Sequence, residues 1–212
     1  MNERLVIIGA SGHGKVVADI AVKMNRYNKI MFLDDDISIK ECLGFPVIGT
    51  SEDVEHYIRD CDVFVAIGNA KIRQKIQESL YCKGAVIPTL VHPGAIVSNE
   101  VSIGEGTIVM AGVIINPGTH IGKGCILNTA SSIDHDCMID DYVHISVGVH
   151  LAGTVEIGER TWVGIGAVIS NNLKVVSGCV IGAGTVVIRD ILKSCTVVGN
   201  PAKDIKFSFQ KT

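Results

Sequence analysis

Residues 101–127 read VSIGEGTIVMAGVIINPGTHIGKGCIL, and an aliphatic residue returns in this stretch at every sixth position. The same phase continues on both sides of the stretch without a slip. If about a third of positions were aliphatic, a chance run of this length would have a probability on the order of 10⁻⁸. The series comprises Val91, Val97, Ile103, Val109, Ile115, Ile121, Leu127, Ile133, Ile139, Ile145, Leu151, Ile157, Val163, Ile169, Val175, Ile181 and Val187.

This period of six predicts β structure, because the period of a helix, about 3.6 residues, does not divide it. It suits a short strand followed by a turn, and glycine often follows the aliphatic residue. The aliphatic residue and a small residue two positions before the next one would both point inward. Three such units close a triangular coil, and stacked coils pair their backbones at about 4.8 Å. Residues 97–187 therefore predict about five coils of a parallel β-helix.

The preceding part of the chain has a different pattern, in which short apolar runs alternate with helical periodicity. Strand, glycine turn, helix and strand in this order predict a βαβ unit with a parallel sheet. Small ligands bind such sheets at the carboxyl ends of the strands. The predicted strands, each with the polar or glycine residues after it, are Leu5–Ile8 with Gly9–Gly14, Ile30–Leu33 with Asp34–Asp36, and Val63–Ile67 with Gly68–Asn69.

The glycine loop GASGHGK, residues 9–15, allows several functions. It fits the G-x-x-x-x-G-K spacing of P-loop ATPases, but Val16 stands where Ser or Thr would hold Mg²⁺. It does not fit the order G-x-G-x-x-G of dinucleotide-binding loops. We favour a helix N-terminus whose backbone N–H groups meet a diphosphate or a sugar. A purely structural turn is the alternative.

Composition and charge exclude several classes of protein. The net charge of −3 provides no basic surface for nucleic acid. The first apolar run, Leu5–Ile8, is too short for a secretion signal or a membrane span, so we expect a cytoplasmic protein without a membrane partner. Three of the seven cysteines, Cys125, Cys137 and Cys179, stand at small-residue positions of the repeat, where we expect them to be buried.

The repeat resembles the hexapeptide-repeat acyltransferases, whose β-helix is left-handed. The segment 198–203, VGNPAK, is similar to the G-x-P-A segment that closes that helix beside the CoA site. Over essentially the full chain, the order of motifs resembles the bacterial UDP-4-amino-sugar N-acetyltransferases and their sialic acid O-acetyltransferase relatives. These join a Rossmann-like α/β domain to a left-handed β-helix. The motifs are GASGHG, LDD, AIGN-x-x-IR, NT-x-S-x-I-x-H-x-C, H-x-SVG and VG-x-PAK.

The resemblance implies a nucleotide-sugar-binding domain in residues 1–90 and an acyltransferase domain in residues 91–212. It also implies acetyl-CoA as co-substrate, no metal, and a homotrimer with active sites between adjacent prisms. His135 would be the catalytic base, beside Asp136 where the family has Glu, and the Gly153 N–H would face the thioester oxygen. The implied acetyl-CoA residues are His144, Ile165 and Ala183. The implied substrate-binding residues are Ser11, Gly12, His13, Asp34, Asp35, Gly68 and Asn128.

Histidines are the candidates for the base that acyl transfer from a thioester requires. His120, His144 and His150 each precede an inward aliphatic residue, so they should point outward, from three different faces of the coil. His135 lies near a corner between Asp134 and Asp136, and either carboxylate could orient its ring. Stacking of 18-residue coils places Gly153 next to His135.

The residues leave other functions open. The expected reaction is direct transfer of acetyl to the amino group of a nucleotide-linked 4-amino-4,6-dideoxy sugar, with UDP as the expected nucleotide. The acceptor could instead be a hydroxyl of sialic acid or a related sugar. A zinc site shared between subunits, as in γ-class carbonic anhydrases, would leave the first domain without a purpose. A non-catalytic scaffold that binds sugar nucleotides is a further alternative.

Overall fold

A small α/β layer precedes a β-helix in the computed structural model, which describes residues 2–205. The strands β1, β2 and β5 form a parallel sheet in the order β2-β1-β5. Helix α1 covers one face of this sheet, and α2 covers the other with a 3₁₀ helix. The elements are β1 (Arg4–Ile8), α1 (Gly12–Lys23), β2 (Lys29–Leu33), β3 (Glu41–Cys42), β4 (Phe45–Pro46), the 3₁₀ helix (Ser51–His56), β5 (Asp62–Val65) and α2 (Ala70–Cys82).

The three apolar runs form this sheet because both of its faces are covered, which favours continuous apolar sequence over alternation. Leu5, Val6 and Ile7 have no exposed surface at all. Strand β5 ends at Val65, two residues before the predicted Ile67. The ladder stops there because its partner strand β1 ends at Ile8, which pairs with Val65, and the chain turns at Gly9, where φ is positive.

The repeat folds into short strands that stack on three faces, which confirms the predicted parallel β-helix. Strands 18 residues apart pair in parallel, as Ile126 does with His144 and His144 with Trp162. Face A comprises β6 (Leu90–Val91), β9 (Ile108–Val109), β12 (Ile126–Leu127), β15 (His144–Ile145), β18 (Trp162–Val163), β21 (Val180–Ile181), β23 (Thr196–Val198) and β24 (Lys203–Asp204). Face B comprises β7 (Ile96–Val97), β10 (Ile114–Ile115), β13 (Ser132–Ile133), β16 (His150–Leu151), β19 (Val168–Ile169) and β22 (Val186–Val187). Face C comprises β8 (Ser102–Ile103), β11 (His120–Ile121), β14 (Met138–Ile139), β17 (Glu156–Ile157) and β20 (Lys174–Val175).

The interior of the β-helix holds the two positions that the repeat predicted. The second residue of each central strand points inward, and Leu127, Ile133 and Ile145 are fully buried. The small residues between strands are buried too. The hydroxyls of Thr107, Thr119 and Thr161 donate to backbone oxygens, whereas those of Ser131 and Thr185 have no partner within residues 2–205. Thr107 donates to the Gly122 oxygen and accepts from the Cys125 N–H. Cys125, Cys137 and Cys179 are buried, as predicted.

Helix α2 joins the two parts of the chain by lying along the corner between faces C and A. Gln77 donates to the carbonyl oxygen of Gly106 at this corner. Both Gly106 and Gly124 have positive φ, and a Cβ atom at either would lie 2.6 Å from the Gln77 amide. The backbone conformation and the lack of space therefore each require glycine at these two positions. The α/β layer also covers the outward residues Leu90, Ile108 and Ile126 of face A, which are buried.

No helix of residues 2–205 is long and apolar enough to span a lipid bilayer.

Candidate active site

His135, Asp136 and Gly153 meet at the corner between faces B and C. His135 lies in the turn between β13 and β14, and Gly153 occupies the same corner one coil later. The Nδ1 atom of His135 lies 2.8 Å from the Asp136 Oδ2 atom. A Cβ atom at Gly153 would lie 2.5 Å from Nε2 and 2.6 Å from Cε1 of His135, so the ring rests directly on the glycine. Asp136 therefore holds the ring by one nitrogen and leaves the other free beside Gly153.

Asp134 supports the backbone of this corner and leaves the imidazole ring to Asp136. Its Oδ1 atom accepts from the backbone N–H of His135 at 2.9 Å and from the side chain of Asn116 at 2.7 Å. These two hydrogen bonds hold the pKa of Asp134 below its usual value. Of the two carboxylates that flank His135 in sequence, Asp136 makes the contact with its ring.

The electrostatics of this corner favour a basic imidazole. The hydrogen bond with Asp136, assisted by the charges of Asp134 and Asp136, raises the pKa of His135 above 6.5. Its side chain is 56% exposed, so a substrate can reach it. The backbone N–H of Gly153 donates to no oxygen of residues 2–205 and is available to a ligand. A proton acceptor and a hydrogen-bond donor thus lie side by side.

A second group of predicted residues gathers at the carboxyl edge of the α/β sheet. Helix α1 begins at Gly12, and the Ser11 side chain does not cap it, so its first N–H groups remain available to an anion. Asp34 accepts from the N–H groups of Ala10 and Asp36 and so shapes the glycine loop. The exposed Asp35 uses one oxygen for the Ser51 N–H, which leaves its second oxygen to a ligand.

A third group lies on face A, beside the first turn of α2. His144 stacks nearly parallel to Trp162, with 6.2 Å between ring centroids, and lies 3.5 Å from the Asn128 amide. A groove of about 960 Å³ runs between these rings and Gly68–Lys71. Ile165 and Ala183, exposed and one coil apart, lie in turns between faces A and B. Ile165 and Ala183 thus follow the edge between faces A and B, and His144 lies on face A itself.

His13 and His144 meet Arg73 where the two parts of the chain join. Burial, and secondly the charge of Arg73, lowers the pKa of each histidine to about 4. The Nε2 atom of His13 is buried and has no hydrogen-bond partner within residues 2–205. His144 points out of the prism as predicted, but the α/β layer covers it, which the repeat could not indicate. Arg73 stands in the motif AIGN-x-x-IR, but no pattern in the sequence indicates a role for it.

The remaining histidines are spread over the surface. His120 lies on face C and His150 on face B, and each contacts a serine one coil earlier, Ser102 or Ser132. With His144 on face A, the three occupy different faces of one chain, as the spacing predicted. Within the described residues, no three His, Cys, Asp or Glu side chains are arranged to hold a metal ion.

We predict that the two neutral histidines make the fold sensitive to acid. Between pH 6.5 and pH 4 the unfolded chain binds protons at His13 and His144 that the folded chain does not bind. The free energy of unfolding should therefore decrease as the pH falls through this window, by on the order of 3 kcal/mol per histidine at full extent. Urea unfolding at pH 7 and pH 5 measures the loss. His144→Gln should show a smaller loss than the wild type, and an equal loss would contradict the prediction.

Comparison with known proteins places this geometry among sugar-modifying enzymes. The family profile described as PglD N-terminal domain matches residues 4–80. The chain is 34% identical over 213 residues to the GDP-perosamine N-acetyltransferase of Escherichia coli O157:H7, covering 95% of this chain and 96% of that relative. It is 36% identical over 109 residues, 50% of each chain, to the UDP-N-acetylbacillosamine N-acetyltransferase of Bacillus subtilis (strain 168).

A solved structure extends the similarity to the whole fold. The acetyltransferase domain of PglB from Neisseria gonorrhoeae FA1090, in complex with acetyl coenzyme A, matches with a TM-score of 0.94 and 44% sequence identity. The match covers 97% of this chain and all of that one. The similarity to this structure spans both the α/β layer and the β-helix, and so does the similarity to the Escherichia coli relative. The chain therefore belongs to the nucleotide-amino-sugar N-acetyltransferases, a group of the hexapeptide-repeat acyltransferases that uses acetyl-CoA.

Proposed function

We propose that this protein transfers acetyl directly from acetyl-CoA to the amino group of a nucleotide-linked 4-amino-4,6-dideoxy sugar, with His135 as general base. The observation that supports this most is the pairing of His135 with Gly153. The ring has one nitrogen bound to Asp136, and its other nitrogen lies beside the backbone N–H of Gly153, which donates to no oxygen of residues 2–205. General-base catalysis and oxyanion stabilisation require this pair of groups.

The proposed reaction proceeds through one tetrahedral intermediate. The sugar amine attacks the thioester carbon, and Nε2 of His135 accepts a proton from the nitrogen. The Gly153 N–H donates to the oxygen that becomes negative. Collapse of the intermediate breaks the carbon–sulfur bond, and the imidazolium returns its proton to the CoA thiolate. The products are the acetamido sugar and CoA, and His135 is regenerated.

A covalent acetyl intermediate on a cysteine of the hexapeptide repeat fits this structure poorly. The thiolate is the nucleophilic form, and burial disfavours it. Burial raises the pKa of Cys125 to about 12 and also raises that of Cys137, the cysteine nearest to His135 in sequence. Both side chains are enclosed within the β-helix. Mass spectrometry of the enzyme mixed with acetyl-CoA should show no acetylated cysteine during turnover.

The identity of the acceptor is the most specific part of the proposal. We expect UDP as the nucleotide, as the sequence resemblance suggests, while the Escherichia coli relative carries GDP in its name. The test measures release of the CoA thiol with a panel of UDP- and GDP-linked 4-amino sugars, and with free sialic acid. Turnover of a nucleotide amino sugar supports the proposal. Turnover of sialic acid alone would replace it with O-acetylation, and no thiol release with any acceptor would reject it.

We predict that a large side chain at Gly12 weakens binding of the nucleotide sugar. A Cβ atom at Gly12 meets no atom within 4 Å, and the residue has ordinary backbone angles, so Gly12→Leu should fold. The added side chain would occupy space beside the first N–H groups of α1. We expect the KM of the nucleotide sugar to rise about tenfold or more while that of acetyl-CoA stays unchanged. Lys23→Ala, at the other end of α1, is the control. Equal increases in both KM values would contradict this role.

We also predict a homotrimer. In one chain, His135 lies at the corner of faces B and C, whereas the α/β layer and His144 lie on the opposite side, on face A. A second copy is therefore needed to bring the base to the nucleotide sugar. Trp162 and Ile165, 52% and 61% exposed, provide apolar surface for such a contact. Light scattering at micromolar concentration should give three times the chain mass, and a monomer would contradict the prediction.

A further inference from the structure

Arg73 is a buried cation that takes no part in the reaction as proposed. The residue is 1% exposed, and burial lowers its pKa to about 10, so it remains charged at neutral pH. No carboxylate of residues 2–205 forms an ion pair with it. A buried charge without a counter-ion is costly unless its hydrogen bonds are satisfied, so its neighbours should show what it stabilises.

The hydrogen bonds of Arg73 reach both parts of the chain. On the β-helix side, Nε donates to the Gly124 oxygen at 2.7 Å and Nη2 donates to the Tyr142 oxygen at 2.9 Å. On the α/β side, Nη1 donates to the oxygens of Ile67 and Gly68, both at 2.8 Å. One planar group thus binds four backbone carbonyls, two from each part.

These carbonyls belong to the two segments that the proposed reaction must align. Ile67 and Gly68 form the loop after β5, at the carboxyl edge where the nucleotide is expected. Tyr142 lies two residues before His144, which begins β15, the strand expected to meet acetyl-CoA. A lysine cannot reproduce this contact, because its ammonium group is a point donor whereas guanidinium donates in several fixed directions.

We propose that Arg73 is a positioning residue that fixes the nucleotide-binding loop after β5 against the coil that contains His144. The expected effect of Arg73 on binding of the nucleotide sugar rests on the proposed function. The structural link between the loop after β5 and the coil of His144 does not depend on that function. Arg73 acts through the backbone and contacts neither reacting group.

The surroundings of His144 support the same link. The charges of Arg73 on α2 and His13 on α1 act on it, and Lys71 and Arg160 line the same groove. The nearby positive charge of Arg73 adds to burial in keeping His144 neutral. Moving or removing the guanidinium would therefore change the environment of His144 as well as the loop.

The kinetic test compares Arg73→Lys and Arg73→Met with Gln77→Met. Gln77 lies one turn later on α2 and donates to Gly106, so its replacement weakens the same interface without touching Gly68. We expect Arg73→Lys to raise the KM of the nucleotide sugar about tenfold, because the loop after β5 loses its fixed donors. Gln77→Met should lower the melting temperature with an unchanged KM. If Arg73→Lys also leaves KM unchanged, Arg73 is merely structural and the proposal is wrong.

A spectroscopic test needs no substrate. Trp162 is the only tryptophan of the chain and stacks on His144, so its fluorescence reports protonation of that ring. The wild-type titration should have a midpoint near pH 4, and Arg73→Met should move the midpoint to higher pH. Circular dichroism at each pH shows that the chain is still folded. An unchanged midpoint in Arg73→Met would overturn the link to His144.

The two tests separate this inference from the proposed function. If the wild type acetylates no nucleotide sugar but Arg73→Met shifts the Trp162 titration, the proposed function fails and the link stands. If the wild type is active while neither KM nor the titration responds to Arg73, the function stands and the link fails.

Discussion

His135→Ala is expected to lower kcat/KM by about 10²–10⁴-fold, the range that a positioned general base contributes. The variant removes the only imidazole beside Gly153 among the described residues and leaves the backbone N–H in place. Its melting temperature should change little, because the His135 side chain is 56% exposed and lies outside the core. Steady-state thiol release and a thermal melt measure the two quantities. His56→Ala, at an exposed position of the 3₁₀ helix, is the matched control, and near-full activity of His135→Ala would reject the mechanism.

The pH profile distinguishes the base from its orienting carboxylate. A general base must be unprotonated, so kcat/KM should rise with pH through a pKa above 6.5, since Asp136 raises the pKa of His135. Asp136→Asn should move this rise to lower pH and reduce the plateau, by less than His135→Ala does. Asp134→Asn should have the smaller effect, because Asp134 binds the backbone and Asn116 instead of the ring. A larger effect of Asp134→Asn would assign the orienting role to Asp134.

Gly153→Ala is expected to lower kcat/KM by about 10²-fold, although it retains the backbone N–H. The new methyl group would lie 2.5 Å from Nε2 of His135, and the exposed ring must move away from the corner. The backbone itself is not strained by alanine, because Gly153 does not have positive φ. The melting temperature should therefore remain close to that of the wild type while activity falls.

A double-mutant cycle tests whether Gly153→Ala acts through the histidine. If displacement of the ring is the cause, adding Gly153→Ala to His135→Ala should change kcat/KM little further. Independent effects that multiply would show that alanine disturbs the acetyl group or the oxyanion donor directly. Measurement of the four enzymes under one set of conditions decides between these causes.

The repeat was enough to predict the β-helix, because its physical basis lies in residues close to one another in sequence. Each six-residue unit needs one aliphatic residue inside, one small residue inside and a turn. In one such unit, the two inward residues are Ile133 and Cys137. Stacking by 18 residues then follows from the triangular coil. For the same reason the neighbourhood of His135 and Gly153 could be predicted, since a register of one coil relates them.

The strand and helix order of the α/β layer could also be predicted, but its boundaries could not. The apolar run Val63–Ile67 indicates a strand, and only the register with β1, whose last residue Ile8 pairs with Val65, explains why β5 ends at Val65. Arg73 and Gln77 look like ordinary surface residues of a helix, because polar side chains are usually exposed. Both are fully buried in the structure.

Periodicity and motif order determine the fold class, the family and the position of His135, whereas the docking of the α/β layer on face A required the folded structure. That docking buries His144 and His13 beside Arg73 and places the Trp162 groove beneath α2. The difference has a physical cause. A repeat encodes contacts at a constant separation, but the α2 interface joins residues that are 51 and 69 positions apart, through backbone carbonyls that any residue type provides.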